Sequence, residues 1–276
     1  MPELPEVQTV VDSLTRLLCP GSRAEAETAR VVGVPHVRGD MIRPVGFDLR
    51  AALLTRAIAA VARRGKRVVF ELDDGGRFFV HLGMTGRLTV EPDEAPTRPH
   101  THLVAQLSGG RQLRFADPRR FGRIVWLASG DLDAIGPEPL SLRPARLFRL
   151  LQATRRAVKT ALLDQRLIAG IGNIYADEAL FAARIHPLRP ACTLSPVEAA
   201  RLNAAVKRVL RRAIRHRGSS LRDYVDGEGQ PGGFQRLHRV YARGGLPCVH
   251  CGATLERTVI GGRSTCFCTR CQPAGG

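Results

Sequence analysis

Cys248-Val249-His250-Cys251 and Cys268-Thr269-Arg270-Cys271 are two C-x-x-C pairs with sixteen residues between them. No other feature constrains the fold of a segment of this chain so closely. Each pair lets two thiolates meet one ion, and the spacer suits a hairpin whose turn falls at Gly261-Gly262. Four thiolates close a tetrahedral shell, so the implied ion is one structural Zn2+ that leaves no position for water. Residues 237–276 are too few for an apolar core of their own, and the metal is expected to fold them. His250 and Cys266 are the alternative ligands. Cys266 shares a strand face with Cys268, but neither has the turn geometry of the pairs.

The other two cysteines, Cys19 and Cys192, stand alone. The chain starts Met-Pro-Glu-Leu-Pro-Glu-Val without a basic segment, so it does not read as exported, and clustered cysteines then mean metal rather than disulfides. It has no run of about 18 apolar residues and is not expected to span a membrane. The expected location is the cytoplasm, in association with the nucleoid. The formal net charge is +17, unevenly spread. Residues 1–141 hold 19 Lys+Arg and 17 Asp+Glu, a net of +2, whereas residues 142–276 hold 23 and 8, a net of +15. Codon bias explains why 39 of the 42 cations are Arg, but not this asymmetry. A basic half joined to a near-neutral half points to a polyanion partner.

The hydrophobic period divides the chain again. Pro5 suits a first helical turn, and Val7, Val10, Val11, Leu14 and Leu18 follow at helical spacing. Residues 20–50, with scattered Pro and Gly, read as irregular. From Arg67 the period becomes that of strands, with Val68–Leu72 and Phe78–Leu82 flanking a turn at 73–76, then Arg87–Val90, Leu103–Leu107, Gln112–Ala116 and Arg123–Leu127. A helix-flanked β-sandwich is expected over 1–135. Strand character stops at Gly136-Pro137-Glu138-Pro139. A helical domain is expected over 136–236. Its clearest helix starts at Ser195-Pro196-Val197-Glu198, a capping box, and carries Lys207, Arg208, Arg211, Arg212 and Arg215. Residues 218–235 hold five Gly and one Pro and read as a mobile loop. A zinc-ribbon hairpin over 237–276 completes a multidomain α+β chain.

Removal of Met1 would expose the secondary amine of Pro2. An α-amino group has a pKa near 7.7–8.0, so part of it is neutral at physiological pH and able to attack an electrophilic carbon. Glu3 or Glu6 would move the protons that such a step needs. Composition and spacing alone favour the plainer alternative, acids serving a helix dipole.

Five stretches in order resemble the formamidopyrimidine-DNA glycosylases, bacterial base-excision repair enzymes. They are Met1–Val7, Arg63-Arg64-Gly65-Lys66, His81-Leu82-Gly83-Met84-Thr85-Gly86, Asp117-Pro118-Arg119-Arg120-Phe121-Gly122 and Gly170–Leu180, followed by the cysteine pairs with Gly262-Arg263-Ser264-Thr265 between them. The resemblance implies a DNA glycosylase and apurinic/apyrimidinic-site lyase, a glycosidase of the DNA-damage response. It would remove 8-oxoguanine and formamidopyrimidines from duplex DNA through a Schiff base on Pro2 and β,δ-elimination. It further implies Glu3 as general acid/base, Glu6 as supporting carboxylate, and Lys66 and Arg263 on lesion-strand phosphates. Met84, Arg119 and Phe121 would be the wedge that fills the gap left by a flipped base. Arg120, Asn173, Lys159 and His81 would lie near DNA, with Asn173 in a helix–two-turn–helix element and 218–235 closing over the base. The zinc finger would hold Cys248, Cys251, Cys268 and Cys271. A monomer is expected. The segment before Arg63 is longer than the family's, Cys266 stands where an aromatic is commoner, and Gly65 and Thr85 are conservative departures.

Three other readings compete. An endonuclease VIII-like enzyme for oxidised pyrimidines is disfavoured by Leu4 and the wedge residues. A non-catalytic DNA-binding protein is disfavoured by the presence of Pro2, Glu3 and Lys66. A zinc-ribbon protein on ribosomal RNA accounts for the charge but not for the N-terminus.

Overall fold

The structure is a computed structural model that describes residues 1–19, 28–128 and 134–274. Two compact units form, Met1–Asp133 with His216–Gly233, and Ala134–Arg215 with Phe234–Gly276.

The first unit opens with α1 (Leu4–Leu18). Its entry is set by a reciprocal capping box, in which the Glu3 side chain accepts from the Glu6 backbone and Glu6 Oε2 accepts from Glu3 N at 2.8 Å. The apolar stripe Val7, Val10, Val11, Leu14 and Leu18 is buried. Eleven segments follow: β1 (Val31–Val37), β2 (Ile42–Arg43), α2 (Leu49–Leu53), β3 (Ile58–Arg64), β4 (Arg67–Leu72), β5 (Arg77–His81), β6 (Arg87–Pro92), β7 (Thr101–Leu107), β8 (Arg111–Ala116), β9 (Arg123–Trp126) and, from 216, a long returning loop. One sheet has the order β1-β7-β8-β6, the other β2-β9-β5-β4-β3. All pairings are antiparallel except β2 with β9. Leu88, Leu103, Leu113 and Phe115 of the first sheet share one core with Val68, Phe70, Phe78 and Val80 of the second, as a sandwich requires. α1 packs on β3 and β4 of one sheet and on β6 of the other.

Residues 28–50 are not irregular. They contain β1, β2 and the start of α2, while 20–27 lie outside the described residues. β1 is an edge strand whose register shifts between Val31 and Gly33 and again between Gly33 and His36, which masks its alternation. β3 is rich in Ala and Arg and lacks a strand-like composition, yet it pairs with β4 from Ile58 to Arg64.

The second unit contains α3 (Pro144–Gln152), α4 (Val158–Leu163), α5 (Asn173–Ala183), α6 (Pro196–Arg215) and the hairpin β10 (Glu256–Ile260) and β11 (Arg263–Phe267). α3 packs on α6, and α5 packs on both α6 and β11. The hairpin closes at Gly261-Gly262, both with positive φ, and pairs Ile260 with Arg263. The hairpin segment does possess an apolar cluster. Val240, Cys248, Leu255, Cys266 and Cys268 gather around Phe181 of α5, so the missing core is supplied by a helix of the same unit. Residues 216–233, expected with the helical segment, belong to the first unit instead, because α1 offers them buried partners.

The capping box of α6 forms as expected, with Glu198 Oε2 accepting from Ser195 N at 2.9 Å and Ser195 Oγ from Glu198 N at 3.2 Å. Arg189 adds a bidentate hold on the same carboxylate and brings its pKa down to about 2. The stability that this group adds is present above the ordinary carboxylate pKa near 4.5 and is lost as pH falls toward 2. Acid titration of unfolding free energy will therefore be shallower between these limits for Glu198→Gln than for the parent. Parallel titration curves would remove this assignment.

Candidate active site and metal centre

Glu3 and Glu6 are 3 % and 1 % exposed, and Pro2 is buried beside them. Burial holds the terminal amine, here that of Met1, below its ordinary value. The charges acting on it are those of Glu3, Glu6, Lys66 and Arg119. Lys66 is buried and follows Gly65, whose φ of +57° closes the β3–β4 turn. Arg63, near the end of β3, donates to Gln8 Oε1 of α1 at 2.8 Å. One region of the first unit thus gathers an amine, two carboxylates and two cations. His81 ends β5, opposite Arg67 and Arg123. Burial pushes its pKa down, which favours the neutral imidazole at physiological pH.

Glu6 does more than cap α1. Its Oε1 accepts from Ser219 N at 2.7 Å, and Tyr224 donates its hydroxyl to Glu6 O at 3.1 Å. A Cβ on Gly218 (φ +74°) would lie 2.7 Å from Glu6 Oε1, so only glycine allows this approach. Further along, Gly227 N donates to Ser13 Oγ of α1 at 2.8 Å. The segment that reads as a mobile loop is thereby tied to the N-terminal helix at two places.

Met84, Arg119 and Phe121 come together at the surface. Arg119 lies over the Phe121 ring, 4.6 Å from its centroid, and its Nη1 is 3.4 Å from Met84 Sδ. Met84 is 44 % and Phe121 51 % exposed, which rules out core packing for either. Asp117, fully buried, holds the loop from below: Gly122 N donates to Oδ2 at 2.7 Å, and Thr85 Oγ1 to Oδ1 at 2.5 Å. Gly83, with φ +65°, sits so close that a Cβ would be 2.7 Å from Gly122 N. Arg120, in the left-handed region, turns away to Asp40 at 3.5 Å.

In the second unit Asn173 begins α5 after Gly170-Ile171-Gly172. Its Nδ2 donates to Ser264 O at 2.9 Å, while its buried Oδ1 has no hydrogen-bond partner among the described residues. Arg263 is exposed at the start of β11. Lys159 is fully buried, so its expected contact with DNA does not fit its surroundings. Its ammonium meets Asp177 Oδ1 at 2.6 Å, Thr265 Oγ1 at 2.7 Å and Ser264 O at 2.9 Å. Asp177 Oδ2 also accepts from Cys266 N at 3.1 Å. Burial raises Asp177 to about 6 against the opposing pull of Lys159. The neighbouring Glu178 accepts from the backbone of Arg239, Val240 and Tyr241 at 2.9–3.1 Å. Asp117, Asp177 and Glu178 are structural carboxylates that spacing did not single out. The available signal was two adjacent acids inside the otherwise apolar Ile174–Ala183.

The sulfurs of Cys248, Cys251, Cys268 and Cys271 all lie within 4.8 Å of one another. Cys248 to Cys271 is 3.9 Å and Cys251 to Cys268 3.5 Å. These are near the ~3.8 Å edge of a tetrahedron with ~2.3 Å Zn–S bonds, so the four residues fit one structural zinc. His250 stacks on Phe181 at 5.2 Å, and Cys266 packs in the apolar cluster. Among the described residues, the four-sulfur metal group contains neither.

The model of the formamidopyrimidine-DNA glycosylase N-terminal domain matches residues 1–124, that of the H2TH domain of the same enzymes residues 135–225, and the zinc finger found in FPG and IleRS residues 245–274. Among curated relatives, the formamidopyrimidine-DNA glycosylase of Moorella thermoacetica is 48 % identical over 93 % of this chain and 94 % of its own length. That of Thermus thermophilus is 46 % identical over the whole of both chains. The crystal structure of the Thermus thermophilus MutM (Fpg) protein covers both chains completely with a TM-score of 0.85 and 44 % identity. The Lactococcus lactis Fpg in complex with DNA containing an abasic site has a TM-score of 0.88 and 31 % identity, covering 98 % of this chain and 99 % of its own. No helix among the described residues is long and apolar enough to cross a membrane.

Two outcomes are expected. Removing one partner of a buried ion pair leaves an uncompensated charge, so Lys159→Met will cost about 3–5 kcal/mol of second-unit stability in denaturant titration. Pairing it with Asp177→Leu will recover part of that loss, and additive losses would argue against coupling. Chelation of the zinc will raise amide exchange across 245–272, as followed by mass spectrometry, and unchanged protection would show that the metal does not hold the fold.

Proposed function

Because this chain belongs to the formamidopyrimidine-DNA glycosylase family, we propose that it excises oxidised purines from duplex DNA and then cleaves the strand through its own N-terminal proline. The observation that carries this reading is the gathering of Glu3, Glu6, Lys66 and Arg119 around the terminal amine.

With Met1 removed, the Pro2 nitrogen attacks C1′ of the damaged nucleotide. The glycosidic bond breaks, its electron pair leaves with the base, and the base takes up a proton. The nitrogen loses its own proton, the C1′–O4′ bond then breaks with O4′ taking up a proton, and the nitrogen remains doubly bonded to C1′ of the opened sugar as an iminium. That cation acidifies the sugar protons, so β-elimination expels the 3′ phosphate and δ-elimination the 5′ phosphate. Water finally returns the amine. Glu3 is the acid/base at the sugar. Burial holds the terminal amine of Met1 below its ordinary value; a mature Pro2 amine held in the same way would be more often unprotonated, which suits a nucleophile. Glu6 orients the N-terminus and ties the 216–233 segment to it.

Lys66 is assigned to the phosphate beside the lesion, with His81 next to it. Met84, Arg119 and Phe121 are assigned to the space left by the flipped base, where stacking surfaces and one guanidinium suit an opened duplex. Arg120 is assigned to a phosphate. In the second unit, Asn173 and Arg263 take lesion-strand phosphates, and Lys159 positions the strand that follows Arg263. The bound zinc supplies no chemistry; it holds the hairpin that carries Arg263. We assign these tasks to the first unit and to the helical and zinc-finger parts of the second, in a monomer acting in the cytoplasm on nucleoid DNA.

Borohydride reduction tests the mechanism. Mature protein on a duplex with 8-oxoguanine opposite cytosine will give a covalent adduct, and Pro2→Gly will lose most of it. Absence of an adduct with the parent would leave a DNA-binding protein without lyase chemistry. A stronger reaction with thymine glycol would move the substrate to oxidised pyrimidines.

A further inference from the structure

The basic face of α6 takes no part in the site described above. Between residues 207 and 215 the helix carries Lys207, Arg208, Arg211, Arg212 and Arg215. Pairs of like charge at i,i+4 (207/211, 208/212 and 211/215) each weaken a helix by about 0.2–0.5 kcal/mol. The dipole rewards cations only in the last turn, which leaves Lys207 and Arg208 without that return. Intrachain neutralisation is missing as well. Among the described residues none of these five cations has a carboxylate within ion-pair distance, and Glu198, the only acid of α6, is held by Arg189 and Arg201.

The stripe is also shaped. Lys207, Arg208, Arg211 and Arg215 line a groove of about 420 Å³ together with Pro144, Ala200, Asn203 and Ala204. No acidic side chain is among these lining residues. From Lys207 to Arg215 the helix rises about 12 Å, so its cations can reach successive phosphates of one strand. Four of the five cations are Arg, whose planar fork binds phosphate oxygens in pairs.

We propose that this face of α6 is a second, lesion-independent site for the phosphate backbone of duplex DNA. It would bind DNA in addition to the residues assigned to the lesion, and it rests on the reading that this protein acts on duplex DNA. An acidic protein segment is the competing occupant. The row of one Lys and four Arg at helical spacing favours a backbone with evenly repeated charge.

The test uses the full-length, zinc-loaded protein, with fluorescence anisotropy on a long undamaged duplex across a salt series. Lys207→Gln/Arg208→Gln/Arg211→Gln will lower affinity about tenfold or more and reduce the log–log salt slope by about two to three, near 0.9 per phosphate lost. The charge-keeping variant Arg208→Lys/Arg211→Lys will retain the slope, which separates charge from misfolding. Single-turnover cleavage of a saturating lesion duplex will be unchanged in both. Unchanged affinity and slope in the Gln variant would overturn the proposal. So would polyglutamate that binds the parent more tightly than duplex at equal charge, because an acidic protein would then be the occupant. Failure of borohydride trapping in the parent bears on the lyase reading alone, since the anisotropy is measured on undamaged DNA.

Discussion

Glu6, Asp117, Asp177, Glu178 and Asp226 are each at most 3 % exposed, and a carboxylate so placed must be given donors or cease to be charged. In this protein many of the donors are backbone N–H groups of the segments that carry function. Glu6 takes those of Glu3 and Ser219, Asp117 that of Gly122, Asp177 that of Cys266, and Glu178 those of residues 239–241. Asp226 accepts from Glu228 and Gln230, and Arg217 pairs with it. Hydrogen bonds to a charged acceptor contribute about 1.5–3 kcal/mol, more than neutral ones. Backbone around the N-terminus, under Met84 and Phe121 and beside the zinc-finger hairpin is thus held by anions, where a purely apolar core offers no directional hold.

This arrangement explains why the cations divide into two kinds. Lys159 is consumed inside the second unit, where it balances Asp177 and fixes the two residues after Arg263. Arg263 itself stays exposed. The near-neutral first half carries the gathered amine, carboxylates and Lys66, where each charge has an assigned neighbour. The surplus of the second half is mostly guanidinium at the surface. Net charge therefore speaks for attraction to a polyanion, and the paired, buried charges speak for geometry.

How far the sequence foretold this depended on the range of the interaction concerned. Local periodicity disclosed the β4–β5 hairpin, the cap of α6 and the metal pairs, because each is decided by residues close in the chain. β1 escaped it because its register shifts twice at an edge, and β3 because Ala and Arg do not advertise a strand. The resemblance places Lys159 near DNA, but a lone lysine beside matching motifs says nothing about burial. Its partners are 18 and more than 100 residues away. The grip of Glu6 on Ser219 spans 213 residues, and the only local trace of it is Gly218, one glycine among several in that stretch.

The wedge shows what such distant holds accomplish. An exposed Met84 and Phe121 leave apolar surface in water, which the fold would otherwise bury. Unstacking a base costs a few kcal/mol, and an inserted side chain offsets that cost only if it enters already in place. A floppy Phe or Met would lose its rotamer freedom on insertion, about 0.5–1.5 kcal/mol for each side chain ordered. The Asp117 carboxylate under the loop, the Gly83 backbone against Gly122, and Arg119 stacked on Phe121 fix these positions beforehand. The ordering cost is then met during folding, and in the proposed wedge role insertion into DNA would retain more of the stacking energy.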